Sequence, residues 1–98
     1  MNSKQRAYLK GLAMNIDPIM QIGKASLTDE NIFAIAEAME PRELIKISVL
    51  KNCADDPKII ANHIASLTRS EVVQVIGKKI VLYKQADKPK NRKINLPK

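Results

Sequence analysis

The chain has 98 residues and a mass of 11.0 kDa, which allows one domain of ordinary size and leaves little room for a second. Its hydrophobic fraction of 45% is enough for a single core, so disorder over the whole length is not expected. The single cysteine cannot form an internal disulfide, and the longest apolar runs are too short to span a membrane. No apolar signal segment follows the first residues, so we expect a cytoplasmic protein with no membrane partner.

The net charge of +7 is concentrated in one part of the chain. From Lys78 to Lys98 there are eight basic side chains against Asp87 alone, whereas residues 1–77 carry nine basic and nine acidic side chains. Such a concentrated positive charge attracts polyanions, of which nucleic acid is the most common. A solvated tail that keeps the protein soluble explains the same charge pattern.

The first predicted elements are a helix and a short strand. Ser3 is predicted to cap a helix over residues 3–14, which ends before Asp17 because the residue preceding a proline avoids the α region. Residues 19–22 then form a short buried strand that Gly23 terminates.

Two helix–strand units are predicted next. Thr28 caps a second helix with two acidic residues in its first turn, and Pro41 lies just past the end of that helix. Residues 43–50 alternate between apolar and polar side chains, which indicates a strand. Asp56 begins a third helix, with a proline at the first helical position, that extends to about residue 66.

A hairpin completes the predicted fold. Residues 72–76 and 79–84 are two β-branched runs on either side of Gly77 and Lys78. The order α-β-α-β-α-β-β predicts an α/β two-layer sandwich, with three helices against a mixed four-stranded sheet. We predict a domain over residues 1–85 and a flexible basic tail over residues 86–98, in which only Ile94 and Leu96 could dock.

No set of residues in the sequence forms a recognisable catalytic centre. His63 is the only histidine and lies in the predicted third helix, whereas Cys53 precedes that helix. Both residues are therefore predicted to have structural roles. Neither a Walker-type loop nor a GxGxxG loop occurs. We therefore predict no enzyme activity, no metal, no cofactor and no small-molecule substrate.

The segment from Gly23 to Thr28 is the most specific candidate site. It lies between a strand end and a helix N-terminus, where free backbone N–H groups favour an anion. Gly23 allows close approach of the backbone, Lys24 adds charge, and the hydroxyls of Ser26 and Thr28 can bind phosphate. An ordinary turn capped by Thr28 explains the same residues. Tyr83 has two possible roles as well, stacking on a base or packing against the sheet.

Four segments of the sequence together resemble a known family. They read QIGKASLT at 21–28, ELIKI at 43–47, VQVIGKKIVLYK at 73–84 and KINLPK at 93–98. This combination resembles the YhbY proteins, the bacterial stand-alone form of the CRM domain (chloroplast RNA splicing and ribosome maturation). The resemblance implies an α/β fold like the C-terminal domain of translation initiation factor three. It also implies RNA binding linked to maturation of the large ribosomal subunit.

The RNA-contacting loop of this family usually reads GxxG, similar to the KH-domain loop that clamps an RNA backbone. Gly23 and Lys24 match the start of the motif, but Ser26 stands in place of the second glycine. If that position requires a positive φ, serine carries a conformational cost there.

We expect RNA to contact the first helix, the loop at 23–26 and the segment from Lys78 onward, mainly through phosphates. The residues assigned to this surface are Gly23, Lys24, Ala25, Ser26, Thr28, Lys4, Arg6, Lys10, Lys78, Lys79, Tyr83, Lys84, Lys88, Lys90, Arg92 and Lys93. The expected partner is large-subunit ribosomal RNA or a pre-ribosomal particle. The alternative is a protein-interaction module whose basic tail binds an acidic partner.

Overall fold

The computed structural model describes residues 1–98 and contains the predicted elements in the predicted order. Its elements are α1 (Ser3–Ala13), β1 (Met20–Ile22), α2 (Asp29–Arg42), β2 (Leu44–Val49), α3 (Pro57–Thr68), β3 (Glu71–Ile76), β4 (Lys79–Tyr83) and a 3₁₀ helix at Pro89–Asn91. The predicted α/β class, with three helices and a mixed four-stranded sheet, is confirmed. None of the helices is both long enough and apolar enough to cross a membrane.

Local hydrogen bonds determine where each helix begins. Asn2, rather than the predicted Ser3, caps α1: its side chain accepts a hydrogen bond from the Gln5 N–H at 2.8 Å. In return, the Gln5 side chain accepts a hydrogen bond from the Asn2 N–H at 3.1 Å. This capping box satisfies two backbone donors at once, which favours Asn2 over Ser3. Thr28 caps α2 and Asp56 caps α3, as predicted.

The second helix ends later than predicted. Pro41 lies inside α2, one residue before its end at Arg42, and not beyond the helix. A proline this close to the C-terminal end of a helix removes a single backbone hydrogen bond. The chain then turns at Glu43, whose φ of 62° is in the left-handed region and whose N–H donates to the Met39 carbonyl at 2.7 Å. A non-glycine residue keeps such a φ only when its surroundings hold it.

The strand order in the sheet is β1-β2-β4-β3. β1 and β2 are parallel, as predicted for strands joined by a helix, with Ile22 opposite Val49. β4 pairs antiparallel with both β2 and β3, so the last strand lies inside the sheet, between β2 and β3. Ser48 is opposite Lys79, which places the end of β2 beside the start of β4.

Side chains on the two faces of the sheet form two separate clusters. One cluster includes Ile47 and Ile80 and packs against α2 and α3. The other, which we call the α1 cluster, includes Val81, which points to the opposite face, together with Leu9 and Ala13 of α1. The helices therefore cover both faces of the sheet, which is one layer more than the predicted two-layer sandwich.

The C-terminal segment packs against the domain, which differs from the flexible tail predicted for residues 86–98. The carboxylate of Glu43 is fully buried, at 0% exposure, and accepts hydrogen bonds from three backbone N–H groups. These donors belong to Ala86 at 2.8 Å, Lys93 at 2.7 Å and Ile94 at 2.9 Å. A buried carboxylate without donors is strongly unfavourable, so these bonds hold the segment in place. Ile94 and Leu96 also pack against the α1 cluster.

Glu40 makes a second attachment to the same segment. Its carboxylate accepts hydrogen bonds from the backbone N–H groups of Asp87 and Lys88 and from the side-chain amide of Asn91, at 2.7 to 3.1 Å. Lysine, proline and asparagine dominate this stretch of the sequence, which therefore predicts mobility. That prediction misses the six N–H donors that bind two carboxylates more than forty residues earlier in the chain.

Both attaching carboxylates are stabilised in their charged form. Burial has the largest effect on Glu43 and raises its pKa, but the three backbone donors and the charge of Arg92 together hold the pKa below its usual 4.5. The pKa of Glu40 is also lowered, first by the Asn91 side chain and then by the Asp87 N–H. Because both folded pKa values are depressed, this stabilisation is present above pH ~4.5 and is lost as the pH falls through them.

We expect acidification to release the C-terminal segment before the domain unfolds. Between about pH 6 and about pH 3, amide exchange at Lys93 and Ile94 should rise much more steeply than at Val81 in the central strand, after correction for intrinsic exchange. Amide hydrogen exchange monitored by NMR measures these rates. Glu43→Gln should show fast exchange at Lys93 and Ile94 already at neutral pH. Protection of these two amides that does not change with pH would contradict the role given to Glu43.

Candidate nucleic-acid interface

Three turns meet at one end of the sheet. The carbonyl of Ile22, the last residue of β1, accepts a hydrogen bond from the Leu50 N–H at 2.8 Å, just beyond β2. The Val49 N–H donates to the carbonyl of Lys78 in the hairpin turn at 2.7 Å. The loop after β1, the turn after β2 and the hairpin turn therefore lie side by side. We call this region the loop–hairpin end, and it comprises residues 23–26, 50–53 and 77–79.

The loop–hairpin end carries four exposed lysines, which are Lys24, Lys51, Lys78 and Lys79. None of them forms an ion pair, although Lys79 Nζ donates to Ser48 Oγ at 2.8 Å. The only ion pair in the structure joins Lys84 to Asp87, at the other end of the sheet. Unpaired lysines on adjoining turns concentrate positive potential where a polyanion can approach.

The loop at 23–26 is a tight turn in which Ser26 has a left-handed φ of 58°. The Ser26 N–H donates to the Gly23 carbonyl at 2.9 Å. The position at which the GxxG motif has its second glycine therefore needs the conformation that glycine adopts most easily. Packing alone does not require glycine at position 23, because a Cβ there would lie 3.5 Å from Leu50 Cδ1, an ordinary contact.

The two hydroxyls predicted to bind phosphate already have partners within the chain. Ser26 Oγ donates to the carboxylate of Asp55. Thr28 Oγ1 accepts a hydrogen bond from the Asn31 N–H at 3.1 Å, as the cap of α2. Two acidic side chains in the first turn of α2 also oppose a bound anion. A phosphate at this helix end would have to share or displace these groups, so Lys24 is the unoccupied part of the predicted site.

Arg6 and Tyr83, two other predicted contact residues, are used inside the fold. Arg6 is half-buried, and its Nη1 donates to the carbonyls of Val72 and Val73, where a bulge interrupts the β3–β4 ladder. Tyr83 packs against the sheet in the α1 cluster and is 6% exposed, which leaves too little surface to stack on a base. Burial, followed by the charge of Glu43, raises the pKa of Tyr83.

Most of the remaining predicted residues lie at the far end of the sheet. Lys84 follows β4, and its N–H donates to the Glu43 carbonyl at 2.9 Å, where β2 begins. A strand of six residues is about 20 Å long, so this end is well separated from the loop–hairpin end. The C-terminal residues Lys88, Lys90, Arg92 and Lys93 belong to the segment attached here. Lys4 and Lys10 are exposed on α1.

Lys46 and Lys51 were not assigned to the predicted surface, although the structure places both near it. Lys51 lies in the turn after β2, and only the strand order reveals that this turn adjoins the loop at 23–26. Lys46 is half-buried in the middle of β2. Its neighbours Ile45 and Ile47 belong to the cluster that packs against α2 and α3, so Lys46 points to the other face of the sheet.

A cleft of about 270 Å³ beside the loop is lined by Ser26, Asp55 and His63, which are the residue types of many hydrolytic sites. The Ser26 hydroxyl donates directly to the Asp55 carboxylate, and His63 forms no hydrogen bond with either residue. An activated serine needs a base in contact with its hydroxyl and a third group that orients the base. The arrangement seen here is therefore that of a hydrogen-bonded turn.

Comparison with known proteins gives consistent matches over the whole chain. The chain is 44% identical over 97 residues to the probable RNA-binding protein YqeI of Bacillus subtilis, covering 99% of both chains. It is 34% identical over 97 residues to an RNA-binding protein of Haemophilus influenzae, covering 99% of this chain and 95% of that protein. The solution structure of a hypothetical protein from Staphylococcus aureus has a TM-score of 0.80 and 46% sequence identity, over 99% of both chains.

A family model confirms the resemblance seen in the sequence motifs. Residues 1–84 match the CRS1 / YhbY (CRM) domain. The matched range runs from α1 through β4 and so includes all three turns of the loop–hairpin end. The chain belongs to the CRS1/YhbY (CRM) domain family.

Proposed function

We propose that this protein binds structured RNA of the large ribosomal subunit, in the cytoplasm and during ribosome assembly, and that it acts without catalysis. The observation that carries the proposal is the group of four unpaired lysines on the adjoining turns of the loop–hairpin end. Membership of the CRM family and the names of the Bacillus and Haemophilus relatives support RNA as the ligand. The resemblance to YhbY proteins supports the link to the large subunit.

Phosphate contacts supply most of the proposed affinity. Lysine ammonium groups are point charges that neutralise phosphates without distinguishing bases. No aromatic side chain lies in the loop–hairpin end, so its turns cannot form a platform for stacked bases. Selectivity then comes mainly from the shape of the RNA backbone that fits the three turns.

The alternative function is binding of an acidic protein through the C-terminal segment. Lys88 and Lys90 support it, because they are exposed and project from a segment that Glu40 and Glu43 hold in place. The two functions therefore differ in which end of the sheet receives the partner. RNA is favoured because the far end also carries the carboxylates of Glu40 and Glu43, which hold the C-terminal segment in place and reduce the positive charge there.

Salt dependence tests the electrostatic character of the interface. If about five basic side chains neutralise phosphates, log affinity should fall against log salt concentration with a slope of about −3.5 to −4.5. Fluorescence anisotropy with a labelled fragment of large-subunit ribosomal RNA, repeated at several salt concentrations, gives the slope. A slope near zero would contradict phosphate contacts as the main source of affinity.

Removal of one lysine at each end locates the interface. Lys24→Ala should weaken RNA binding several-fold and reduce the salt slope by about 0.7 to 0.9, because one phosphate contact is lost. Lys90→Ala removes the same charge at the far end of the sheet and should leave the slope unchanged. Equal effects of the two substitutions would show that the loop–hairpin end is not the preferred contact.

Two substitutions at Ser26 test its left-handed conformation. Ser26→Gly and Ser26→Ala both remove the hydroxyl and its hydrogen bond to Asp55, but only glycine relieves the backbone strain. Ser26→Gly should therefore be more stable than Ser26→Ala by about 1 kcal/mol in chemical denaturation. Both variants should keep wild-type RNA affinity, because Asp55 already occupies the hydroxyl. Equal stability of the two variants would contradict the positive φ of Ser26. Weaker RNA binding by both variants would show that the Ser26 hydroxyl contacts RNA directly.

A further inference from the structure

Part of the sheet face that α1 covers is left open next to the loop–hairpin end. β2, β4 and β3 present two rows of side chains there, which are Lys46, Val81 and Gln74 in one row and Ser48, Lys79 and Ile76 in the next. The end of α1, with Lys10 and Met14, forms a wall beside these rows. The resulting cleft has a volume of about 130 Å³.

Three lysines from three different elements converge on this cleft, and no acidic side chain lines it. Lys79 Nζ donates to Ser48 Oγ at 2.8 Å, so it reaches over β2, the strand that carries Lys46. Lys46 and Ser48 are two residues apart on the same face, which is about 7 Å along a strand. Lys46 and Lys79 thus line the same cleft without an acidic side chain among its lining residues, and neither forms an ion pair. This arrangement attracts an anion that both lysines can contact, such as a phosphate.

The rest of the cleft is apolar. Val81 forms a buried floor, whereas Met14 is 81% exposed and Ile76 is 59% exposed. Nothing in the fold covers these last two side chains. Gln74 is half-buried in the same row as Val81 and offers an amide that can donate and accept hydrogen bonds. The cleft therefore combines an apolar surface, one amide and an uncompensated positive charge, which correspond to the face, the edge and the phosphate of a nucleotide.

We propose that this cleft is a subsite for one unpaired nucleotide of RNA. Its phosphate lies between Lys46 and Lys79, its base packs on Met14 and Ile76, and Gln74 contacts the base edge. The proposal rests on the proposed RNA-binding function and adds to it a preference for RNA with unpaired nucleotides. Lys79 belongs to both the cleft and the loop–hairpin end, so one RNA molecule can contact both regions.

Two RNA duplexes of equal length separate the subsite from general RNA binding. One is fully paired, and the other has a bulge of about three unpaired nucleotides. The wild-type protein should bind the bulged duplex more tightly. Ile76→Ser and Met14→Ser should each reduce this preference by about threefold to tenfold, because they remove apolar contact area. Affinity for the paired duplex should not change, since both residues are exposed and neither substitution changes the charge of the protein.

Substitutions of the same kinds on the opposite side of the sheet serve as controls. Phe33→Ser removes a 68% exposed apolar side chain from α2 and should leave the preference for the bulged duplex intact. Lys58→Met removes a charge at the start of α3, and it should weaken binding of the bulged duplex less than Lys46→Met does. Thermal denaturation of each variant verifies that it is folded.

The outcomes distinguish the subsite from the function on which it depends. Failure of the wild-type protein to bind either duplex would contradict the proposed RNA-binding function. Binding of both duplexes without a preference, or an equal effect of Phe33→Ser, would overturn the subsite alone. In NMR titrations, the bulged duplex should shift the Met14 methyl and Gln74 amide signals. If a glutamate-rich peptide produced the same shifts, the cleft would be assigned to an acidic protein and the nucleotide proposal would fail.

Discussion

The buried carboxylate of Glu43 determines how positive charge is distributed over this protein. It lies where α2 turns into β2, and a charge at this depth is stable only with strong hydrogen-bond donors around it. The three donors come from residues 86, 93 and 94, so the most basic segment of the chain is fixed at the far end of the sheet. The same attachment brings Ile94 and Leu96 against the α1 cluster. The other half of that sheet face stays open and forms the lysine-lined cleft.

The position of β4 between β2 and β3 has the complementary effect at the opposite end. It brings the hairpin turn beside the end of β2, and the parallel pairing of β1 and β2 brings the loop at 23–26 to the same place. Lysines at positions 24, 51 and 78 therefore become neighbours, although more than twenty residues separate each from the next. A net charge that in the sequence belongs to the C-terminus thus forms two separate basic surfaces, and the only ion pair, between Lys84 and Asp87, lies in the one at the far end of the sheet.

Features that depend on a few adjacent residues could be predicted from the sequence. The caps at Thr28 and Asp56 and the hairpin turn at Gly77 are of this kind, because their hydrogen bonds and backbone angles are local. Glu43 could not be recognised, since a glutamate after a helix is ordinary until its donors from the end of the chain are known. The role of Arg6 inside the fold could not be recognised for the same reason, because its partners lie in a strand bulge 66 and 67 residues away.

NMR titration of the isotope-labelled protein with a fragment of large-subunit ribosomal RNA tests directly where the RNA lies. The largest changes in backbone amide shifts are predicted at Lys24, Lys51 and Lys78, together with the strand residues around Lys79. The amides of Ala86 and Ile94, which bond to Glu43, should change little. Changes concentrated in the C-terminal segment, with the loop–hairpin end unaffected, would contradict the assignment of the RNA-binding surface.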